Sequence, residues 1–292
     1  MKVAPANLDS PKTVASARGS RAAMPWGKWG LRVTAIGYLL LMIVLPLSAI
    51  FENGLKGGLQ AFLSNITTPV ALSALKLTLV ASLIVTAINA VMGTLTAYVL
   101  VRYRFYGRGL LNGIIDMPFA IPTLVTGVML VALYGPQRTL GAWLNSHGFQ
   151  VIFATPGIIL ALLVVTYPFV IRTVQPVLME AEQGQEEAAY TIGASKWVTF
   201  LRVILPAIAP AILTGSLLTF ARSLGEFGSI VVVAGNIPLR TLTAPVYVYQ
   251  QIESQNQPGA SSMSILLLVL SFTLILLVEW MQSRKGRGHV EK

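Results

Sequence analysis

Cysteine is missing from this chain of 292 residues, which excludes disulfides, thiolate metal sites and cysteine nucleophiles. Charge is scarce: 11% of the residues are Asp, Glu, Lys or Arg, against about 25% in an ordinary soluble domain. A soluble globule is therefore a poor description. Acidic residues are the scarcer sign, 11 against 21 Lys and Arg. There is no G-x-x-x-x-G-K-[ST] phosphate loop, because the Gly27-Lys28 pair lacks the upstream glycine and is followed by Trp29. Any ATP must be handled by another chain. The two histidines, His147 and His289, have no second ligand at metal spacing, so neither reads as a metal site.

Apolar residues fill the gap, at 54%. Six stretches free of charge are long enough to cross a hydrocarbon layer of about 30 Å at about 1.5 Å per residue: 33–51, 77–101, 117–137, 139–171, 203–221 and 254–278. The reading is an all-α integral membrane protein of six transmembrane helices. The first stretch follows a basic segment, as a signal peptide would, but its 19 residues exceed an h-region of about 7–15. It is read as a retained span.

The net charge of +10 sorts by topology rather than marking nucleic acid. Lys2, Lys12, Arg18, Arg21, Lys28 and Arg32 precede the first span, and Arg102, Arg104 and Arg108 follow the second. Lys196 and Arg202 follow the fourth, and Arg284, Lys285, Arg287 and Lys292 follow the sixth. The opposite connections carry Lys56, Arg138 and Arg240. The positive-inside rule then places both termini in the cytoplasm, which agrees with an even number of spans.

Residues 1–29 are expected to be a mobile cytoplasmic tail, 30–283 the membrane domain with its core at 70–281, and 284–292 a basic cytoplasmic tail. Residues 52–69 read as an external loop, and helix 2 as about 70–101. Helix 3 opens near Asp116-Met117-Pro118-Phe119-Ala120-Ile121-Pro122-Thr123, where two prolines four apart mark a cap or a kink. Helix 4 is expected over about 156–174, ending around Arg172 and Pro176. The run 229–234 either continues helix 5 past a glycine-weakened bend or folds back, and 236–257 is an external loop with room for one short helix.

The segment 180–205 breaks the apolar pattern and holds four of the eleven acidic residues. Within it, Glu186-Glu187-Ala188-Ala189-Tyr190-Thr191-Ile192 is helix-compatible, with acids near the start, where the helix dipole favours them, and Gly193 placed as a C-terminal stop. Ala188 and Ala189 give a narrow face that a partner groove can take in, with Tyr190 and Ile192 for apolar contact and Glu187 for a partner cation. The bland alternative is a connector lying on the membrane surface. Catalysis by Glu186 and Glu187 fits poorly, since adjacent helical residues point about 100° apart.

In the fifth span Arg222 and Glu226 are four residues apart, so on one helix they share a face and can pair. Arg222 lies about 24 Å along that helix from Pro206 at about 1.5 Å per residue. Ionisable residues at such depth are functional candidates; the alternative is a structural ion pair at the outer interface. Ser223, Gly225 and Gly228 would offer a hydroxyl or backbone amides to an anion. Ser82, Thr86, Asn89, Thr94, Thr96, Thr123, Thr126 and Thr214 either line an aqueous path or bond to their own backbone or a neighbouring helix.

Glu187-Ala188-Ala189, Gly193 and Val203-Ile204-Leu205-Pro206 resemble the E-A-A-x-x-x-G…I-x-L-P loop of ABC importer membrane subunits, with Val203 standing for Ile. From residue 70 onward the chain resembles type I ABC importer permeases, and more narrowly the sulfate/thiosulfate permeases of the CysT (CysU) kind. The narrower likeness rests on Tyr103-Arg104-Phe105, the Asp116 to Thr123 run, Pro168-Phe169-Val170-Ile171-Arg172-Thr173-Val174-Gln175-Pro176-Val177-Leu178, Arg222-Ser223-Leu224-Gly225-Glu226-Phe227-Gly228 and Ala234-Gly235-Asn236-Ile237. The Arg222 to Gly228 run is similar in molybdate permeases, so a molybdate or other oxyanion permease is the alternative.

The resemblance implies a non-enzymatic, multi-pass subunit of the cell inner membrane that pairs with a paralogous permease as a heterodimer. Two ATPase subunits would use ATP and Mg, this chain would bind no cofactor itself, and a soluble sulfate-binding protein would deliver cargo. It implies ATPase coupling for Glu186, Glu187, Ala188, Ala189, Ile192 and Gly193, and a substrate path at Arg222, Ser223, Gly225, Glu226 and Thr123. An intramembrane enzyme would need ionisable pairs inside the spans beyond Arg222 with Glu226, and a passive channel would give segment 180–205 no purpose.

Overall fold

A chain that crosses lipid must satisfy its backbone internally, and every regular element among the described residues is helical. The computed structural model describes residues 25–181 and 183–286, with side chains placed for 29–181 and 184–276. Most of the two expected tails, with His289, therefore lies outside the described residues. The chain divides into two compact units after Ser48. Helix α1 (Pro25–Leu39) passes through a π-helical turn, Leu40–Val44, into α2 (Leu45–Leu55), so helix begins inside the segment expected to be tail.

The second unit holds everything that follows. The expected loop at 52–69 is largely helical, as the end of α2 and α3 (Gly58–Ile66). Helix α4 (Pro69–Arg102) starts where the Thr68 hydroxyl accepts from Ala71 N at 3.2 Å and Pro69 occupies the first turn, and it runs 34 residues without an interior proline. It ends where Tyr103 turns extended.

The third span begins earlier than the sequence reading placed it. Helix α5 (Arg108–Ala120) contains Pro118, and α6 (Thr123–Tyr134) leaves it at a bend of 113° with Pro122 as its N-cap. The two prolines thus do different things, one tolerated inside a helix and one at a break, because Pro122 removes the donor that would have continued the ladder. Then come α7 (Thr139–Ser146) and α8 (Thr155–Glu180). Helix α8 runs through Pro168 and Pro176 and past the expected end near Arg172.

The polar segment forms α9 (Gln183–Thr191), α10 (Lys196–Thr199) and a π-helical turn, Phe200–Ile204, which leads into α11 (Leu205–Leu224). The run after Glu226 is a separate short helix, α12 (Gly228–Val233), packed on α6 and α8. Helix 5 is broken there, not continued. Helix α13 (Ala244–Glu253) is the short helix of the expected loop, and α14 (Gln257–Gly286) closes the chain. Among the described residues five helical segments are long and apolar enough to cross a membrane, and the bent α5–α6 pair makes a sixth if counted as one span.

The core is the packing of α4, α8 and α11. Membrane helices approach closely where residues are small, and Val170 of α8 lies between two glycines. A Cβ on Gly93 of α4 would sit 2.9 Å from Val170 Cβ, and one on Gly215 of α11 would sit 2.8 Å from Val170 Cα. Ala97, Leu100, Ile171, Val174, Leu178 and Ile208 fill the same cluster.

Candidate functional site

Helix α9 is short and polar, and its end is fixed by chain chemistry. Gly193 has φ of 84°, which a residue without Cβ adopts freely. Its N–H donates to Tyr190 O at 3.0 Å while Ala194 N donates to Ala189 O at 3.0 Å. This pair of bonds is a Schellman stop, as the glycine's position predicts.

Helical periodicity divides the six candidate residues into two sets. Ala189 is buried, and Glu186, one turn earlier, is half-buried in an ion pair with Arg102 at the end of α4. Glu187, Ala188, Thr191 and Ile192 face away from the body, and Ile192 is 87% exposed. An isoleucine so exposed beside a carboxylate is an apolar contact without an occupant in the single chain. The sequence reading gives Ala188 and Ala189 one narrow face; the structure turns Ala189 to the body and Ala188 outward, and divides Glu186 from Glu187 in the same way.

Beyond Gly193, Ser195 caps α10 by accepting from Val198 N at 3.3 Å, and Trp197 stands 66% exposed. Phe200 stacks on Trp197 with ring centres 6.0 Å apart and meets Tyr98 of α4 edge-on at 5.2 Å. The π turn brings Leu205 N to Phe200 O just ahead of Pro206. Trp197, Tyr98 and Arg102 were not among the expected site residues. The signal for them was a bulky aromatic inside a polar segment and a cation one helical turn beyond a tyrosine.

The second candidate site lies where α11 ends. Arg222 and Glu226 do pair, Nη1 to Oε2 at 2.7 Å, but not along one helix. The helix stops at Leu224, Gly225 is its exposed C-cap, and the ion pair bridges the break. Glu226 is 1% exposed, and its other oxygen, Oε1, accepts from Ser229 N and Ser229 Oγ at 2.8 Å each. One carboxylate oxygen is therefore held by α12 and the other by Arg222. The Arg222 side chain is 35% exposed, and Glu226 is the one acidic partner it has among the described residues. Thr123, at the start of α6, abuts Gly228, since a Cβ there would collide with Thr123 Oγ1 and lie 3.0 Å from Leu124 N. Ser223 is 1% exposed, so it faces the protein interior rather than the open side of Arg222.

A third cluster was not assembled from the sequence, although Asp116 and Arg172 were both named there. The Arg172 guanidinium of α8 donates from Nε to Asp116 Oδ1 at 2.7 Å and pairs from Nη2 with Asp116 Oδ2 at 2.6 Å. Nη1 reaches Gln175 Oε1 at 2.5 Å and Asn112 Oδ1 at 3.3 Å, and Nη2 reaches the Asn112 carbonyl at 3.1 Å. All five N–H groups have partners, so this arginine clamps α8 to α5. Intramembrane charges pair with one another, and Asp116 and Arg172 do so between neighbouring helices.

Of the candidate path hydroxyls, Thr94, Thr96 and Thr214 donate to carbonyls one turn back, at 2.6, 2.8 and 2.9 Å. Asn89 Nδ2 donates across the core to Thr166 Oγ1 at 2.9 Å. Ser82 Oγ, Thr86 Oγ1, Asn89 Oδ1, Thr219 Oγ1 and Ser223 Oγ are buried without a hydrogen-bond partner among the described residues. They belong to the packed helices α4 and α11 and form a polar layer in an apolar core.

Comparison with known proteins identifies relatives over most of the chain. Residues 89–287 match the family described as binding-protein-dependent transport system inner membrane component. The chain is 44% identical over 255 residues to the probable sulfate transport system permease protein cysT of Nephroselmis olivacea, covering 87% of this chain and 89% of that one. It is 38% identical over 259 residues to the sulfate transport system permease protein CysT of Escherichia coli (strain K12), covering 88% and 94%. Among solved structures it is similar, at a TM-score of 0.75 and 19% identity, to a bacterial ABC transporter involved in the import of the acidic polysaccharide alginate, with 89% of this chain and 96% of that chain covered.

Proposed function

The chain belongs to the family of binding-protein-dependent transport system inner membrane components, among the CysT sulfate permeases, and from that premise we propose that it is a pore-forming subunit of an ATP-driven sulfate and thiosulfate importer. It is a multi-pass membrane protein with the fold of an ABC importer permease. Arg102, Arg104, Arg108, Lys196 and Arg202 cluster in sequence at the end of the bundle that carries α9, which supports a cytoplasmic location for that end. There, two ATPase subunits dock. A paralogous permease completes the pore, and a soluble sulfate-binding protein delivers cargo on the other side.

The observation that carries this reading is the division of α9. Its inner face is tied to the body through Glu186 and Ala189, while Glu187, Ala188 and Ile192 present a carboxylate, a small residue and an exposed apolar side chain. A groove on an ATPase subunit can take in that outer face, with a cation for Glu187. Closure of the ATPase pair then displaces α9 as a lever. The cargo anion meets Arg222, whose pairing with Oε2 of Glu226 leaves other guanidinium donors open while Ser229 holds Oε1. A paired arginine attracts a dianion weakly, and weak binding suits passage.

The test is ATP-dependent uptake of labelled sulfate by the complex reconstituted in vesicles, with unlabelled competitors. Competition by thiosulfate but not by molybdate is expected. Uptake insensitive to sulfate and blocked by molybdate would replace the cargo with another oxyanion while leaving the permease assignment intact.

A further inference from the structure

Helix α9 meets the body along one face only. Behind it lies a cleft lined by Ala181, Gln185, Val203, Ala207 and Ile208, with Glu186 at its edge. Besides buried Ala189, two side-chain contacts tie the segment to the last turns of α4. Arg102 pairs with Glu186, the two side chains being 10% and 12% exposed, and Tyr98, one turn earlier on α4, meets Phe200 edge-on. One face of α4 therefore grips the polar segment both before and after Gly193.

The covalent routes out of the segment are softer. Upstream, α8 contains Pro176 and Pro168. Downstream lie a π-helical turn, Pro206 and Pro210. Each proline removes a ladder bond, and π turns and prolines are where helices bend. Helix α4 has 34 residues, about 51 Å at about 1.5 Å per residue, and no proline after its first turn. Twenty-four positions before Arg102, the buried Thr78 Oγ1 accepts from Ala244 N at 2.8 Å. That bond ties α4 to the first residue of α13 at the opposite end of the bundle.

We propose that the Arg102–Glu186 ion pair is a latch that makes α4, rather than α8 or α11, the rod carrying displacement of α9 across the membrane to α13. This deepens the function proposed above and rests on it. Arg102 and Glu186 are positioning residues, since they touch neither nucleotide nor cargo and act by fixing α9 to α4. Because the pair is largely enclosed and Arg102 Nε has no other partner among the described residues, neutralising one member leaves the other buried and unpaired.

The experiment uses the full complex in vesicles and reads ATP hydrolysed per sulfate imported. Arg102→Gln and Glu186→Gln are each expected to raise that ratio at least about fivefold, with the charge-swapped pair Arg102→Glu with Glu186→Arg returning to within about twofold of the unsubstituted complex. A wild-type ratio in Glu186→Gln, or a swap no better than the single changes, overturns the latch. A purely structural pair would lower the yield of complex without altering the ratio.

Should the single variants fail to assemble, the cysteine-free chain permits a second reading. A bis-maleimide bridge between Arg102→Cys and Glu186→Cys must leave transport running if α4 and α9 move together, and loss of transport on bridging rejects the proposal. A spin label at Ile252→Cys on α13 gives a cargo-independent readout. ATP should shift its signal in the otherwise unsubstituted complex and not in Glu186→Gln, and an equal shift in both again rejects the latch. Sulfate uptake by the unsubstituted complex in the same vesicles reports on the proposed function alone, so the two failures are told apart.

Discussion

Arg172 and Arg222 each lie in a membrane-spanning helix beside a carboxylate, and they are differently engaged. Arg172 uses all five N–H groups on Asp116, Asn112 and Gln175, and it joins two helices. Among the described residues Arg222 is paired with Glu226 alone, across a break in its own helix, and Glu226 has two further donors from Ser229. A saturated guanidinium has nothing to offer a passing anion. A guanidinium with unspent donors can engage an anion while it stays beside its partner. Pairing alone therefore does not separate a structural charge from a functional one in a membrane; the count of engaged donors does.

The sharpest control on that contrast is a residue that touches neither arginine. Glu187→Arg reverses the charge on the outer face of α9, where the side chain is exposed, and should reduce ATP-dependent uptake to background while the melting temperature of the complex stays put. Uptake above about a tenth of wild type would show that α9 does not need this carboxylate.

The opposite control is pure packing. Gly215→Leu drives a side chain into Val170 and Thr173 of α8, and overpacking of this kind costs about 1–3 kcal/mol. Thermal denaturation in detergent should register that loss in full, with uptake falling only as far as assembled complex falls. A third variant calibrates the scale. Asn89→Ala removes one buried interhelical bond to Thr166, and such bonds are worth about 0.6 kcal/mol in membrane proteins. A loss several times larger would mean that the unpaired oxygens around it, Ser82, Thr86 and Thr219, are bridged by water into a single network.

The same contrast explains what could be read ahead of the structure. The number of spans followed from charge-free length, though not every boundary did, and the stop at Gly193 followed from the need for a positive φ at a helix end. The prolines were read less well. Pro176 was expected near a helix end and Pro118 near a helix start, yet both are interior, and only Pro122 marks a break. Proline loses one bond wherever it stands in a helix, and whether the helix survives depends on packing by neighbours that the local sequence does not contain. The Arg222–Glu226 pair was legible because its members are four residues apart. The Arg172–Asp116 and Arg102–Glu186 pairs were not assembled, since their members lie 56 and 84 residues apart and meet only once α5, α8, α4 and α9 have been placed. Facing, likewise, could be assigned by period but not by side: Ala188 and Ala189 were seen to be small, and only the body of the protein decides which of them turns inward.

The central claim, that Arg222 serves the cargo while Arg172 serves the fold, is tested most directly by Arg222→Gln and Arg172→Gln side by side in the reconstituted complex. Labelled sulfate uptake per assembled complex and the melting temperature are measured on each. The account predicts that Arg222→Gln loses uptake at least about tenfold, equivalent to about 1.4 kcal/mol, with its melting temperature close to wild type. Arg172→Gln should lose about 1–2 kcal/mol of stability, discounted for its partial exposure, and keep uptake per assembled complex within about threefold. If uptake tracks stability in both variants, or if Arg172→Gln is the one that stops transport in a stable complex, the assignment is wrong.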